Sequence, residues 1–416
     1  MADTTRDGPK LTLIGKLFVL LVIAGSFYGA YYLFFQNHGG HSGSTAAPDN
    51  SANPIPSPNP NGTTPPPQNQ TEIGVAYGSE KEKWLLQTVS DFARTPQGAT
   101  IKVDLIKKGS IEGAQEILQG DDAAKKINAW APASSLYKKA FVQDWQDKFG
   151  NNPILKEEQL ALTPMVFVFW EERYEPFVQK YHVVSFKTIG EALNEKGGWD
   201  AIAGKETDWG FFKFGHTHPT KSNSGLLTLV LMGYDFYGKS RDLTLGDITA
   251  PPFQDWMSGI EQGASNTVES TGTLMRDMVL KGPSTYDALF VYESVVIDYL
   301  KNAEGRSGPL HVEYPKYNMW NDNPLYIIDA PWSTPDQRQA CQVFLDYLMS
   351  EPVQRQSLVH GFRPGDPNVP IKFPESPFVQ YASYGLKVDL PVVCEPPKPE
   401  VIQNLLVGWQ RSNGDR

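Results

Sequence analysis

Glu72-Ile73-Gly74-Val75-Ala76-Tyr77-Gly78-Ser79 opens a pattern that recurs twice downstream. Glu72–Tyr77 reads as a strand, Gly78-Ser79 as a turn, and Lys81–Phe92 as a helix with Trp84, Leu85, Val89 and Phe92 on one face. Thr100–Ile106 then alternates as a strand, Gly109-Ser110 turns, and Ile111–Leu118 is helical. Lys126–Trp130 is a third short strand, Pro132–Ser135 a turn, and Leu136–Trp145 a helix. Strands alternating with helices at this spacing imply parallel pairing and an α/β fold.

Each unit places serine between strand end and helix start: Ser79, Ser110, then Ser134 and Ser135. A helix N-terminus has free N–H groups and partial positive charge, to which a hydroxyl adds a donor. In open parallel sheets ligands bind beyond the carboxyl ends of the strands. Such turns in succession point to a pocket of neutral donors suited to an anion or a polar small molecule. Serine is also a favoured helix cap, so each one alone carries a purely structural reading.

The theme continues with longer turns. Leu162–Trp170 is a strongly apolar strand, Lys187–Asn194 a short helix, and Trp209–Phe214 another strand. A polar turn from Gly215 to Gly225 follows, with Thr217, Ser222 and Ser224, before a helix over Leu226–Met232. Asp287–Tyr292 is a strand whose end presents Tyr292 and Glu293, and the next helix runs to about Leu300. Leu325–Ile328 is a strand and Asp336–Ser350 a helix with Cys341, Phe344, Leu345 and Leu348 on one face.

Upstream the chain reads differently. Leu17–Phe35 is a run of 19 residues without charge, close to the ~20 that a helix needs to span a bilayer. Lys10 and Lys16 precede it, and no Lys or Arg follows before Lys81, which puts residues 1–16 in the cytoplasm and the rest outside. A cleaved signal peptide is the competing reading. The apolar run continues for ten residues past Ala24-Gly25, which favours an uncleaved anchor. Residues 36–71 are Gly, Ser, Asn, Thr and Pro with almost no large apolar side chain, and read as a disordered linker. Its ends would average roughly 30–36 Å apart.

A net charge of −10 without Lys/Arg stripes argues against nucleic acid as a partner. The two cysteines, Cys341 and Cys394, form no CxxC pair; export makes a disulfide between them the expectation, with two buried thiols as the alternative. No GxSxG elbow, HExxH or P-loop is present, so catalysis is not expected. His216-Thr217-His218 has no carboxylate or Cys in its turn to complete a metal site, and no cofactor is expected.

Three stretches carry a resemblance to a known family: Trp130-Ala131-Pro132-Ala133-Ser134-Ser135, the turn from Gly215 to Gly225, and Tyr286–Leu300 with its Tyr292-Glu293 pair. With Asn323-Pro324-Leu325-Tyr326 and Gly361-Phe362-Arg363-Pro364, their order resembles the extracellular solute-binding proteins of the molybdate/sulfate-like type, which have the type II periplasmic-binding fold. The resemblance spans about Glu72 to Phe373. It implies two α/β lobes, 72–165 with a return over 316–416, and 166–315, joined by hinge crossings near Thr163–Val166 and His311–Asn323. The tail after about Pro370 is expected to wrap the first lobe.

The resemblance further implies an oxyanion held in the interlobe cleft by Ser79, Ser110, Ser134, Ser135, Thr217, Ser222 and Ser224, with Tyr292 and Glu293 at its edge. Glu293 would repel an anion unless it faces away or pairs with a cation such as Lys221. Delivery to an ABC permease, or association with a surface adhesion-type protein, follows by the same likeness. Two other classes stand beside it: a sensor or adaptor that engages a surface protein without ligand, and, more remotely, a cell-surface hydrolase.

Overall fold

Burial on both faces makes the first strand a continuous apolar run. The computed structural model describes residues 70–390 and 392–414; the predicted cytoplasmic segment, the anchor at 17–35 and the linker up to residue 69 lie outside them. Strand β1 (Thr71–Tyr77) pairs in parallel with β2 (Ile101–Lys107) and β3 (Ala129–Ala131). The sheet is completed by β11 (Pro324–Ile328), antiparallel to both β3 and β4 (Ile154–Gln159), in the order β2-β1-β3-β11-β4. The register sets Tyr77 against Lys107 and against Ala131. All three parallel strands therefore end level, and their serine turns leave from one edge.

Helices α1 (Glu82–Phe92), α2 (Ser110–Gln119) and α3 (Lys138–Phe149) follow these strands. One face of the sheet packs Trp84, Leu85 and Phe92 against Phe344 and Leu345 of α13 (Pro335–Leu348); the other packs Trp130 against Phe141, Trp145 and Tyr326.

A second sheet has the order β7-β8-β6-β9, from β6 (Met165–Trp170), β7 (Phe214–Gly215), β8 (Ala288–Tyr292) and β9 (Leu310–Glu313). All six residues of β6 are buried. Around it run α4 (Glu171–Tyr181), α5 (Phe186–Leu193), α6 (Gly198–Ala203), α7 (Asn223–Tyr237), α8 (Leu245–Thr249), α9 (Pro251–Gly263), α10 (Thr271–Lys281), α11 (Glu293–Ile297) and α12 (Leu300–Glu304). Every residue of α7 from Asn223 to Tyr234 is buried, as its all-round apolar sequence requires. Among the described residues no helix is long and apolar enough to cross a membrane.

Several boundaries differ from the sequence expectation for identifiable reasons. The run expected as one strand over Leu162–Trp170 is split into β5 (Ala161–Leu162) and β6, because Pro164 has no N–H to continue the ladder. Thr163 and Asn321 instead exchange backbone hydrogen bonds where the chain passes between the sheets. The expected strand Trp209–Phe214 reduces to Phe214 within β7, since the Lys213 N–H donates to the Asp287 carboxylate (2.7 Å) and the Trp209 ring stacks on Arg173.

The tail does not wrap the first sheet. Beyond α14 (Glu351–Val359), β12 (Arg363–Pro364) pairs with β5. The chain then passes a third time toward the second sheet through α15 (Pro377–Gln380). There β13 (Val392–Val393) pairs with β10 (Tyr317–Asn318), and α16 (Pro399–Asn413) packs on α8, α9 and α7. The cause is apolar: Phe378, Leu386, Cys394, Val401, Leu405 and Trp409 all join the core of the second sheet.

The expected disulfide is absent. Cys341 faces the first sheet and Cys394 belongs to the second core, so both are free, buried thiols. Burial pushes both up to about 12.

Candidate functional site

The level ends of β1, β2 and β3 face the turns before α7 and α10, and between them lies a cavity of about 910 Å3. The first sheet contributes Ser79 and Glu80, the turn Lys107 to Glu112, and Ala133. The second contributes His218, Thr220 to Asn223, Glu269 to Thr271, and Tyr292. Trp409, Gln410 and Gly414 from the C-terminal end close one side. At the rim the Ser270 hydroxyl donates to Ser79 Oγ (2.9 Å), a contact between the two halves. Gly109 also comes close, and a side chain there would sit 3.0 Å from the Lys221 carbonyl oxygen.

Of the serines singled out in the sequence, Ser79, Ser110 and Ser222 line this cavity, as does Tyr292. Ser110 already accepts from the Ala133 N–H (3.0 Å), which ties the second turn to the third. Ser134, Ser135, Thr217, Ser224 and Glu293 do not line it. Ser134 accepts from Leu136 N–H as a cap (3.3 Å), and Ser135 N–H donates to Asp322 (2.8 Å). Thr217 and Ser224 lie just behind the wall. Ser224 Oγ is the hub of a buried hydroxyl cluster, 2.7 Å from Thr217, 3.1 Å from Ser222 and 2.6 Å from Thr271. Those three bonds use three of four hydroxyl protons, so one O–H remains to donate. Ser222 and Thr271 are the members that reach the cavity.

Glu293 faces away. It is buried in a bidentate pair with Arg363 (3.0 and 2.7 Å) and accepts from the Tyr314 hydroxyl, not from Lys221. The acidic residues on the cavity are instead Glu80, Glu112 and Glu269, of which Glu80 is paired with the fully buried Lys81. Lys81 also donates to Asn323 Oδ1 (2.9 Å) and the Pro132 carbonyl (3.3 Å). Burial holds Lys81 below the usual lysine range despite these partners. Burial, then the Glu80 charge, pushes the Tyr292 phenol well up, so it keeps its proton.

The remaining charges largely cancel. Lys107 pairs with Glu82 (2.7 Å), and Lys108 with Glu112 (3.0 Å) and Glu116 (2.6 Å). Lys221 and Glu269, one of each sign, have no ion-pair partner among the described residues.

The two histidines have separate fates. His218 Nδ1 accepts from the Thr220 N–H (3.3 Å), its ring meets Trp409 edge-on at 4.9 Å, and burial lowers its pKa. His216 is buried, with Nδ1 facing the Thr217 carbonyl (2.9 Å) and Nε2 facing Glu261 (3.0 Å). Two acceptors favour the doubly protonated ring. No cluster of His, Cys, Asp or Glu among the described residues could hold a metal ion.

Burial alone would lower the His216 pKa, but the Glu261 charge and hydrogen bond raise it above 6.5. Burial alone would raise Glu261, but His216 and the donors Trp409 and Asn266 hold it below 4.5. The His216 contribution is therefore complete below about 6.5 and lost as pH climbs through its raised value; that of Glu261 is complete above 4.5 and lost as pH falls through its lowered value. Thermal unfolding at stepped pH should show the largest deficit of His216→Gln relative to the unaltered chain between about pH 4.5 and 6.5, shrinking on the alkaline side. A deficit independent of pH would mean that His216 is neutral.

Sequence reasoning missed Glu80, Asn223, Thr271, Trp409 and Gln410. Asn223 and Thr271 sit at helix starts, where the strand–turn–helix signal could have extended to them. Trp409 and Gln410 lie on a helix with no such signal.

Two sheets joined by several chain passages, with strand-end turns converging on a polar cavity, define the architecture of a solute-binding protein. The chain belongs to the bacterial extracellular solute-binding proteins: the model of that family matches residues 73–363. No curated protein matches it significantly in sequence. Among solved structures it is similar to the sulfate-binding protein SubI of Mycobacterium tuberculosis H37Rv (TM-score 0.52, 14% identity, 82% of this chain and 97% of that one). It is also similar to a periplasmic thiamin binding protein (0.56, 12%, 82% and 96%) and to maltose-bound MalE3 of T. maritima (0.54, 12%, 82% and 95%). At these identities the likeness is one of fold.

Proposed function

We propose that the chain captures a small polar solute bearing an oxyanionic group and delivers it to a membrane transport partner. The apolar run at 17–35 tethers it to the membrane, and the linker gives the folded part its reach. The observation that carries this reading is the convergence of Ser79, Ser222 and the Thr271-containing hydroxyl cluster, from both sheets, on one cavity. Neutral donors at the start of the 15-residue helix α7 suit an oxyanion without needing a full countercharge. The near-cancelling charges of the wall agree with that. The fold neighbours' titles name sulfate, thiamin and maltose, which differ too much to supply a ligand. Opening and closing of the two halves about the Thr163–Asn321 passage would admit and desolvate the solute.

Thermal shift of the full chain against oxyanions, sugar phosphates, sugar acids, sugars, amino acids and polyamines tests the reading. A ligand at 100 times its Kd should add about 2.7 kcal/mol of stability. Ser222→Ala is expected to cost about 1.5–3 kcal/mol of binding to a charged ligand. Affinity unchanged by Ser79→Ala and Ser222→Ala together would move the site elsewhere.

A further inference from the structure

Asn223 begins α7, is 3% exposed and lines the cavity. Its neighbours fix which way its amide points. Asn321 donates through Nδ2 to the Thr163 carbonyl (3.1 Å), which leaves the Asn321 Oδ1 turned toward Asn223. Asn223 Nδ2 then spends one proton on that oxygen and the other on the Tyr292 hydroxyl, both at 2.8 Å. Flipping the Asn223 amide would set two oxygens face to face. The remaining atom, Asn223 Oδ1, is buried and accepts no hydrogen bond from any described residue. Buried acceptors in folded proteins are paired, so an orphan on a cavity-lining residue calls for a donor, which a ligand settling against Asn223 supplies.

Resting on the solute-capture reading, we infer that the solute donates a hydrogen bond to Asn223 Oδ1. The ligand is then an anion that also carries an O–H or N–H group, and a cavity of this size favours an organic one, such as a hydroxy acid, sugar acid or amino acid, over hydrogen phosphate. The one free hydroxyl proton of the Ser222–Ser224–Thr271 cluster and the Ser79 hydroxyl serve its acceptor oxygens; Asn223 Oδ1 serves its donor, and the Glu80 carboxylate is a second acceptor, contributed from the first sheet's side. A sulfate, molybdate or tungstate dianion has no donor and would leave Asn223 Oδ1 desolvated and unpaired. A site built around such a group rejects analogues that lack the matching partner. A cavity of about 910 Å3 also sits at the upper end of the range that holds organic ligands.

The test is calorimetric titration of the full chain with sulfate, molybdate and tungstate beside glycerate, gluconate, serine and glutamate. One donor-bearing compound should bind at least about ten-fold more tightly than any of the three inorganic dianions. Its O- or N-methylated analogue should lose about ten-fold or more on the unaltered protein, which requires no variant to fold. Asn223→Ala should remove that difference between compound and analogue. A dianion as the tightest binder overturns the inference and leaves the capture reading intact, as does a donor compound indifferent to both methylation and Asn223→Ala. Binding by none of the compounds overturns the inference together with the capture reading.

Discussion

Arg363→Ala should lower the unfolding free energy by about 3–5 kcal/mol, because it strands a buried carboxylate. The Arg363 and Glu293 side chains are 4% and 0% exposed. Arg363 holds Glu293 with two parallel hydrogen bonds, donates to the carbonyls of Lys387 and Val388, and lies between the rings of Trp320 and Phe378. Tyr314 adds a hydroxyl to the same carboxylate. Each partner comes from a different passage of the chain: Glu293 follows β8, Tyr314 follows β9, Arg363 lies in β12, and Lys387 is in the tail. The cluster thus pins the region where the chain moves between the sheets.

Removal of both charges is a different perturbation. A well-packed apolar pair can replace a buried ion pair at little cost, so Arg363→Met with Glu293→Leu should recover most of the loss. Urea unfolding of the two single variants and the double variant measures this directly. A single-variant cost below about 1 kcal/mol would mean that water reaches Glu293 once the arginine is gone.

The contrast between Glu293 and Ser79 shows what local sequence can reveal. The strand, the serine and the following helix are neighbours in the chain, so periodicity places Ser79, Ser110 and Ser222 at strand or helix ends. Parallel register then brings the ends at Ser79 and Ser110 to one edge. The choice of partner for Glu293 is settled 70 residues away, by Arg363, and nothing in the periodicity of either segment announces it. Ser134 and Ser135 fit the local pattern equally well, yet one caps a turn and the other gives its N–H to Asp322. Local rules predict that a hydroxyl stands at a helix start; tertiary packing decides whether a ligand or a backbone N–H uses it. Trp209 fails in the opposite direction, since its aromatic run reads as strand until Arg173 and Asp287 claim the segment.

Helix α16 was the least legible element, and it carries the second large effect. Its apolar side chains Val401, Leu405 and Trp409 are spaced as on any amphipathic helix, which tells that it docks but not where. Trp409 is 1% exposed, meets His218, and donates its indole N–H to Glu261 (2.5 Å) beside the His216 pair. Trp409→Ala should therefore cost about 3–5 kcal/mol as a large buried ring is lost. Trp409→Phe keeps most of the ring and removes one donor from a charged buried carboxylate, for about 1–3 kcal/mol. Gln410, one residue on, is exposed and lines the cavity. Gln410→Ala should leave chemical denaturation within about 0.5 kcal/mol of the unaltered chain and alter ligand affinity instead. The neighbouring residues thus separate two roles of one helix, anchoring by Trp409 and ligand contact by Gln410. Because α16 lies beyond residues 73–363, where the family match ends, an affinity change in Gln410→Ala would assign part of the ligand selectivity to a segment outside that match. An unchanged affinity, with Trp409→Ala still destabilising, would reduce α16 to a structural brace for the second sheet.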